Sequence, residues 1–207
     1  HNPTGAVLSQ QRVQDIVDLA QKHDLWILSD EVYDEMLFDG ARFTSPLSFP
    51  KVADRVVVVS SISKSHAAPG FRSGWSIGSA EFTKRLLPLA ETMLFGNQPF
   101  IADMTAVALS QPSRVAADMR QRFEGRAGRM FAQLDGVGGL RVSQPEAGMF
   151  VLIDVSKTGL TGEAYAYDLL EKTGVAVMPG SAFGAALNGW VRVALTVEDS
   201  LFDVACG

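Results

Sequence analysis

The sequence is organised around the run Arg55-Val56-Val57-Val58-Val59-Ser60-Ser61. Four β-branched residues followed by small polar ones predict a buried strand that ends at a polar carboxyl edge. Leu25-Trp26-Ile27-Leu28-Ser29-Asp30 repeats the pattern upstream, so Asp30 is expected at the carboxyl end of another strand covered on both faces. Lys64 lies just past the end of the valine strand. Working outward, Ser9 precedes Val13, Ile16, Val17 and Ala20 at helical spacing, which predicts a helix capped by Ser9 and running to about Lys22. Gly74-Trp75-Ser76-Ile77-Gly78 offers a third short strand, and a helix is expected from Ala80 to about Ala90. Alternating helices and buried strands argue for an open α/β sheet, in which ligands collect beyond the strand carboxyl ends.

The second half changes character. From Ser113 to about Leu134 the chain is rich in Arg and Ala and lacks proline, which suits a long, partly exposed helix. The domain boundary is placed within it, giving residues 1–118 and 119–207. A strand at Gly148–Asp154, a helix around Glu163–Lys172, a turn at Pro179-Gly180 and a strand at Trp190–Thr196 read as a small α+β domain.

Composition excludes several classes. With 47% hydrophobic residues over 207 positions the chain can bury a core, and a formal net charge of -5 leaves no basic surface for nucleic acid. The longest apolar stretches, Val56–Val59 and Met149–Ile153, fall far short of the roughly 20 residues of a membrane-spanning helix, so a soluble protein is expected. The single cysteine, Cys206, forbids an internal disulfide and fits a reducing compartment, taken as the cytoplasm. The chain opens at His1 directly on a motif-like segment, which reads as a fragment of something longer.

Four separated segments, in matching order and spacing, resemble the signatures of the class I/II aminotransferases, the fold-type I pyridoxal-phosphate enzymes of the aspartate aminotransferase superfamily. They are Asn2-Pro3-Thr4-Gly5, Asp30-Glu31-Val32-Tyr33, Ser61-Ile62-Ser63-Lys64 running on to Arg72-Ser73-Gly74-Trp75, and Arg192. The resemblance implies a three-layer α/β/α large domain, of which residues 1–118 are the carboxyl-terminal part. A small domain, truncated at its end, follows over 119–207. It also implies transfer of an amino group between an L-amino acid and a 2-oxo acid, by a ping-pong route through a Schiff base on Lys64.

The residue roles follow from that resemblance, and each has a plainer alternative. Lys64 would bind the cofactor as an imine and later move a proton, because a lysine pKa falls readily on burial; otherwise it is an ordinary exposed lysine. Asp30 would hold the pyridine nitrogen protonated and so strengthen the electron sink, or merely end a strand. Tyr33 and Asn2 would hydrogen-bond the cofactor's phenolic oxygen, or be an aromatic at a seam and a turn residue. Arg72, Ser61 and Ser63 would bind the phosphate, the alternative for Arg72 being a surface salt bridge. Gly70 and Gly74 around it permit close backbone approach. Arg192, joined by Asn2, would bind the substrate, its guanidinium gripping the α-carboxylate; a cross-strand ion pair is the alternative. Glu31 is read as an exposed or salt-bridged neighbour, His66 as structural, and Gly148 and Phe150 as packing. Pro179-Gly180-Ser181-Ala182-Phe183-Gly184 resembles a family loop near the substrate entrance.

The amino-terminal half of the family, with its glycine loop, its ring-stacking aromatic and its dimer contacts, is not found in this sequence. These 207 residues alone are therefore expected to be unstable and inactive, and a homodimer is expected of the longer protein. A carbon–sulfur lyase of the same fold and a cofactor-binding regulatory domain remain alternatives. The runs Ala147–Val155 and His23–Gly40 resemble arginine–pyruvate and broad-specificity aspartate-type transaminases of bacteria.

Overall fold

Ser9 accepts a hydrogen bond from the Arg12 amide and starts α1 (Gln10–His23), whose Val13, Val17 and Ala20 are buried at helical spacing. The computed structural model in which this helix is seen describes all 207 residues. After a left-handed cap at Asp24 the chain enters β1 (Ile27–Asp30), which pairs in parallel with β2 (Val56–Ser61). The short helix α2 (Ile62–Ser65) follows β2 directly, and β3 (Gly74–Ile77) returns antiparallel beside it, so the sheet order is β1-β2-β3. Val13 and Val17 of α1 pack with Val52, Val56 and Val58 to form the core beneath this sheet. α3 (Ala80–Leu94), capped by Ser79, and α4 (Pro99–Leu109) complete the run. The last of these has no sequence counterpart above, because its apolar residues follow no clear helical stripe.

One expectation is corrected. β2 is buried at Val56, Val57 and Val58, as a strand covered on both faces should be. β1 instead alternates, and Leu28 is 72% exposed, with Leu25 and Trp26 also open. Within these residues α1 and the 46–55 segment cover only one face of β1, so the period-two pattern of a half-covered strand appears.

α5 (Arg114–Leu134) is the long helix expected from composition, burying Phe123, Arg126, Ala127 and Met130 along one stripe. Beyond it come β4 (Arg141–Val142), β5 (Phe150–Asp154), α6 (Gly162–Thr173), β6 (Met178–Pro179), β7 (Trp190–Ala194) and α7 (Asp199–Cys206). Their sheet is antiparallel throughout, in the order β4-β5-β7-β6. The fold divides into two compact units: Leu8–Leu37 with Arg42–Asp118, and Met119–Gly207 with His1–Val7 and Phe38–Ala41. A single cut at 118 therefore leaves out two early segments that join the later unit. The cause is backbone pairing: the Glu146 and Ala147 amides donate to the Gly5 carbonyl at 2.8 and 3.0 Å, and the Phe38 amide donates to the Glu146 carbonyl at 2.9 Å.

The Arg126 guanidinium, only 4% exposed as a residue, donates to the Leu195 carbonyl at 2.6 Å and to the Asp199 carboxylate at 3.0 Å. Arg129 adds a second bond to Asp199 at 2.8 Å. Hydrogen bonds from Arg126 and then Arg129 lower the Asp199 carboxyl from its ordinary 3.8 to about 2. A depressed folded-state pKa stabilises above the unfolded value and ceases to do so as pH falls through the folded one. The urea midpoint of Asp199→Asn is thus expected below wild type at neutral pH, with the gap closing between pH 3.8 and about 2; a gap that persists at the acid end would remove the carboxylate from the account.

Candidate active site

The parallel register of β1 and β2 sets Asp30 opposite Val59, and the Glu31 amide continues the ladder to the Val59 carbonyl at 2.9 Å. Asp30 stands exposed at the strand end, where its Oδ1 accepts from the Val32 amide at 3.2 Å and begins the turn that carries Tyr33. On the neighbouring strand Ser61 ends β2, and its Oγ accepts from the Ser63 amide at 3.3 Å as the cap of α2. Lys64, half-buried on α2, has its Nζ 6.0 Å from the centroid of the Tyr33 ring. Strand ends therefore bring Asp30, Tyr33, Ser61, Ser63 and Lys64 to one sheet edge.

α2 is tied down from several sides. The Ser113 hydroxyl donates to the Ser65 carbonyl at 2.6 Å. One tautomer of His66 satisfies two further bonds, with Nδ1 accepting from Ser65 Oγ at 2.9 Å and Nε2 donating to the Ala108 carbonyl at 3.3 Å. His66 is a brace between α2 and α4. Burial raises the carboxyl of Asp34, beside Tyr33, above its ordinary value.

Arg72 is exposed, with φ 51°, and its Nη1 donates to the Pro69 carbonyl at 2.8 Å rather than to a surface carboxylate. Of the two glycines near it, Gly74 does sit close: a Cβ there would lie 2.8 Å from the Ser60 carbonyl oxygen. At Gly70 no protein atom lies within 4 Å of the Cβ position. Glu31 is also corrected. It is 8% exposed and accepts from the Ser45 hydroxyl at 2.6 Å, because the turn after Asp30 points it inward.

The second cluster lies wholly in the unit that contains β7. Arg192 Nη1 donates to the Asn2 side-chain carbonyl at 2.9 Å. The guanidinium carbon lies 4.1 Å from the Phe150 ring centroid and 4.6 Å from that of Phe183. Register explains the first contact. Leu152 faces Arg192 and Phe150 faces Ala194, so Phe150 is the diagonal neighbour of Arg192 on one sheet face. Phe183 arrives from the short 3₁₀ turn Gly180–Phe183. Neither aromatic was singled out beside Arg192 from sequence; period-two alternation in β5 and the Pro179–Gly184 match were the available signals. A cleft of about 350 Å³ in the same unit is lined by Phe38, Asp39, Glu124 and Glu146 among others, and none of the predicted site residues lines it.

The donor set at the sheet edge fits pyridoxal phosphate. A phosphate needs hydroxyls and a cation, and Ser61, Ser63 and Arg72 are of those types, while a protonated pyridine nitrogen needs a carboxylate and the carbonyl carbon an amine. Asp30 and Lys64 are of those types, on adjacent strand ends.

The family model described as aminotransferase class I and II matches residues 1–207. An arginine–pyruvate transaminase of Pseudomonas aeruginosa is 41% identical over 206 residues, covering 100% of this chain and 52% of that protein. An aspartate aminotransferase of Bacillus sp. is 33% identical, over 99% of this chain and 53% of its own. Among solved structures, the aromatic aminotransferase from Pyrococcus horikoshii superposes with a TM-score of 0.93 at 30% identity, over 99% of this chain and 55% of that one. The N-succinyldiaminopimelate aminotransferase from Mycobacterium tuberculosis gives 0.90 at 31% identity, over 100% and 54%. The chain spans about half the length of the curated relatives it matches.

Gly180 sets the turn that carries Phe183. A Cβ at that position would lie 2.3 Å from the Leu187 carbonyl oxygen and 2.7 Å from that of Trp190. Gly180→Ala is expected to destabilise by roughly 1–3 kcal/mol, as overpacking against fixed backbone does. A thermal midpoint equal to wild type would show that the turn yields freely.

Proposed function

Because the chain belongs to the class I and II aminotransferase family, whose members depend on pyridoxal phosphate, we propose that it carries the lysine-bearing half of an aminotransferase. Such an enzyme moves an amino group between an L-amino acid and a 2-oxo acid in two successive half-reactions. The observation that supports this most directly is the register of β1 with β2, which sets Asp30 beside the strand that leads into Lys64. The relatives reported above are transaminases by name, which favours transfer over carbon–sulfur cleavage or a regulatory role.

When bound, pyridoxal phosphate supplies a carbonyl carbon that reacts with amines and a ring that accepts an electron pair. The chain's residues do the rest. Lys64 would hold the group through Nζ and would move the proton of the substrate α-carbon. Asp30 accepts the pyridine N–H and keeps that proton in place. Tyr33 would donate to the phenolic oxygen, while Ser61, Ser63 and Arg72 would hold the phosphate. Arg192 takes the substrate α-carboxylate in a two-pronged grip, and Asn2 steadies its other side. The relative at 41% identity makes arginine and pyruvate the first pair to test. Family members are commonly dimers, and a cytoplasmic homodimer is proposed on that ground and on the single free cysteine. The exposed Leu25, Trp26 and Leu28 are read as surface that the remainder of the enzyme covers, so the isolated 207 residues are expected to be inactive.

Two measurements on the full-length protein check this reading. Wild type with pyridoxal phosphate is expected to show a visible absorbance band that changes when L-arginine is added, and Lys64→Ala is expected to lose that band. A borohydride-reducible adduct retained on another lysine would overturn the assignment. Asp30→Ala is expected to bind the cofactor yet lose at least about 100-fold in turnover, the range of one electrostatic contribution to a transition state. Unchanged turnover would refute its electronic role.

A further inference from the structure

Lys64 sits on an element that cannot hold its own shape. α2 is a single turn of four residues, closed by the His66 amide donating to the Ile62 carbonyl at 3.2 Å, and a lone turn fixes more backbone than one such bond repays. Its exit is strained as well, because Ala67 lies in the left-handed region at φ 48°. Side chains supply what the turn lacks. The Ser113 hydroxyl donates to the Ser65 carbonyl at 2.6 Å, and the His66 ring spans from Ser65 Oγ at 2.9 Å to the Ala108 carbonyl of α4 at 3.3 Å. A carbonyl oxygen only accepts, so Nε2 carries a proton, and Nδ1 faces a hydroxyl that can serve as its donor.

α4 is a fixed partner for this ring. Thr105, three residues before Ala108 and on the same side of the helix, is buried, and its Oγ1 donates to the Ile101 carbonyl at 2.7 Å. That hydroxyl therefore accepts from Ser73 Oγ at 2.8 Å, and the Ser73 carbonyl receives the amide of Ile62, the first residue of α2, at 3.4 Å. The amino end of α2 is thus linked to α4 whatever stands at position 66. What His66 adds is the tie at the other end.

We propose that His66 is a positioning residue for Lys64: its bond to the Ala108 carbonyl fixes the carboxyl end of α2 against α4, so that the Lys64 side chain leaves a preset turn before any cofactor arrives. The inference deepens the reading of Lys64 as the amine that binds the cofactor and rests on it. A lysine side chain has much freedom to lose when its amine is held, and a backbone already in place reduces what must be ordered at that moment. His66 acts through α2 alone, on where Nζ can reach rather than on its charge.

The test uses the full-length protein, first freed of cofactor. His66→Phe keeps a ring but loses both polar atoms, His66→Leu removes the ring as well, and His66→Gln returns a terminal N–H that can donate to a carbonyl. Capture of added pyridoxal phosphate is followed as the borohydride-fixed adduct on Lys64, per folded molecule. The first two variants are expected to slow capture roughly three- to tenfold, the factor that one net hydrogen bond corresponds to, and His66→Gln to recover most of it. Hydrogen exchange at the Ala67 amide, which donates to the Lys64 carbonyl at 3.1 Å, is expected to quicken by a similar factor in the first two variants before cofactor is added. In the loaded enzyme with L-arginine and pyruvate, kcat is expected to fall while the KM for the amino donor stays within about twofold. Wild-type capture and exchange in the first two variants, or a His66→Gln variant as slow as they are, would overturn the positioning role while Lys64, still carrying the adduct, keeps its assignment. An adduct on another lysine in the wild type would remove both.

Discussion

The parallel pairing of β1 with β2 is the constraint on which the lysine-bearing cluster depends. Backbone hydrogen bonds set Ile27 opposite Val56 and Asp30 opposite Val59, and a slip of one residue would turn every side chain of β1 to the other face. That slip is opposed by the core, since Ile27 packs against the cluster that Val13, Val17, Val52, Val56 and Val58 bury. An apolar preference on one strand face thus fixes where a carboxylate stands relative to the helix that carries Lys64. Chemistry at the strand ends is a consequence of packing beneath the strands.

The other unit meets the same need differently. Its sheet is antiparallel, and the strand that bears Arg192 lies between β5 and β6. Arg126 holds the end of that strand from below by donating to the Leu195 carbonyl, three residues beyond Arg192. A buried guanidinium is tolerated only where its charge and N–H groups find partners, and here Asp199 and the Leu195 carbonyl serve. Asp199 is the first residue of α7. One cation therefore joins a helix of the core, a strand end and the last helix.

Much of the fold was legible in sequence because the signals were local. Ser9 stands before a helical stripe and caps the helix that follows it, and the β-branched run Val56–Val58 is the buried strand its composition predicts. α4 was not legible, since a helix apolar on all sides has no stripe to betray it. β1 was misread as covered on both faces because Leu28 is apolar whether or not anything lies on it, and sequence alone carries no information on what packs there. Glu31 looked like surface for a similar reason: its burial is bought by a single hydroxyl, Ser45, fourteen residues away.

The candidate site divides along the same line. Residue type and order alone determined that a lysine follows a β-branched strand, that a carboxylate ends its neighbour, and that an arginine sits in a late strand, since these are properties of the chain in one dimension. Tertiary structure alone decided that the Phe150 and Phe183 rings lie close to the Arg192 guanidinium, that Asn2 reaches it from 190 positions away, and that His66 and Ser113 brace α2. The physical reason is range. Caps and strand patterns are written within a few residues of where they act, whereas a guanidinium close to two rings requires a strand register, a diagonal neighbour and a turn held by a glycine, none of which neighbours Arg192 in sequence.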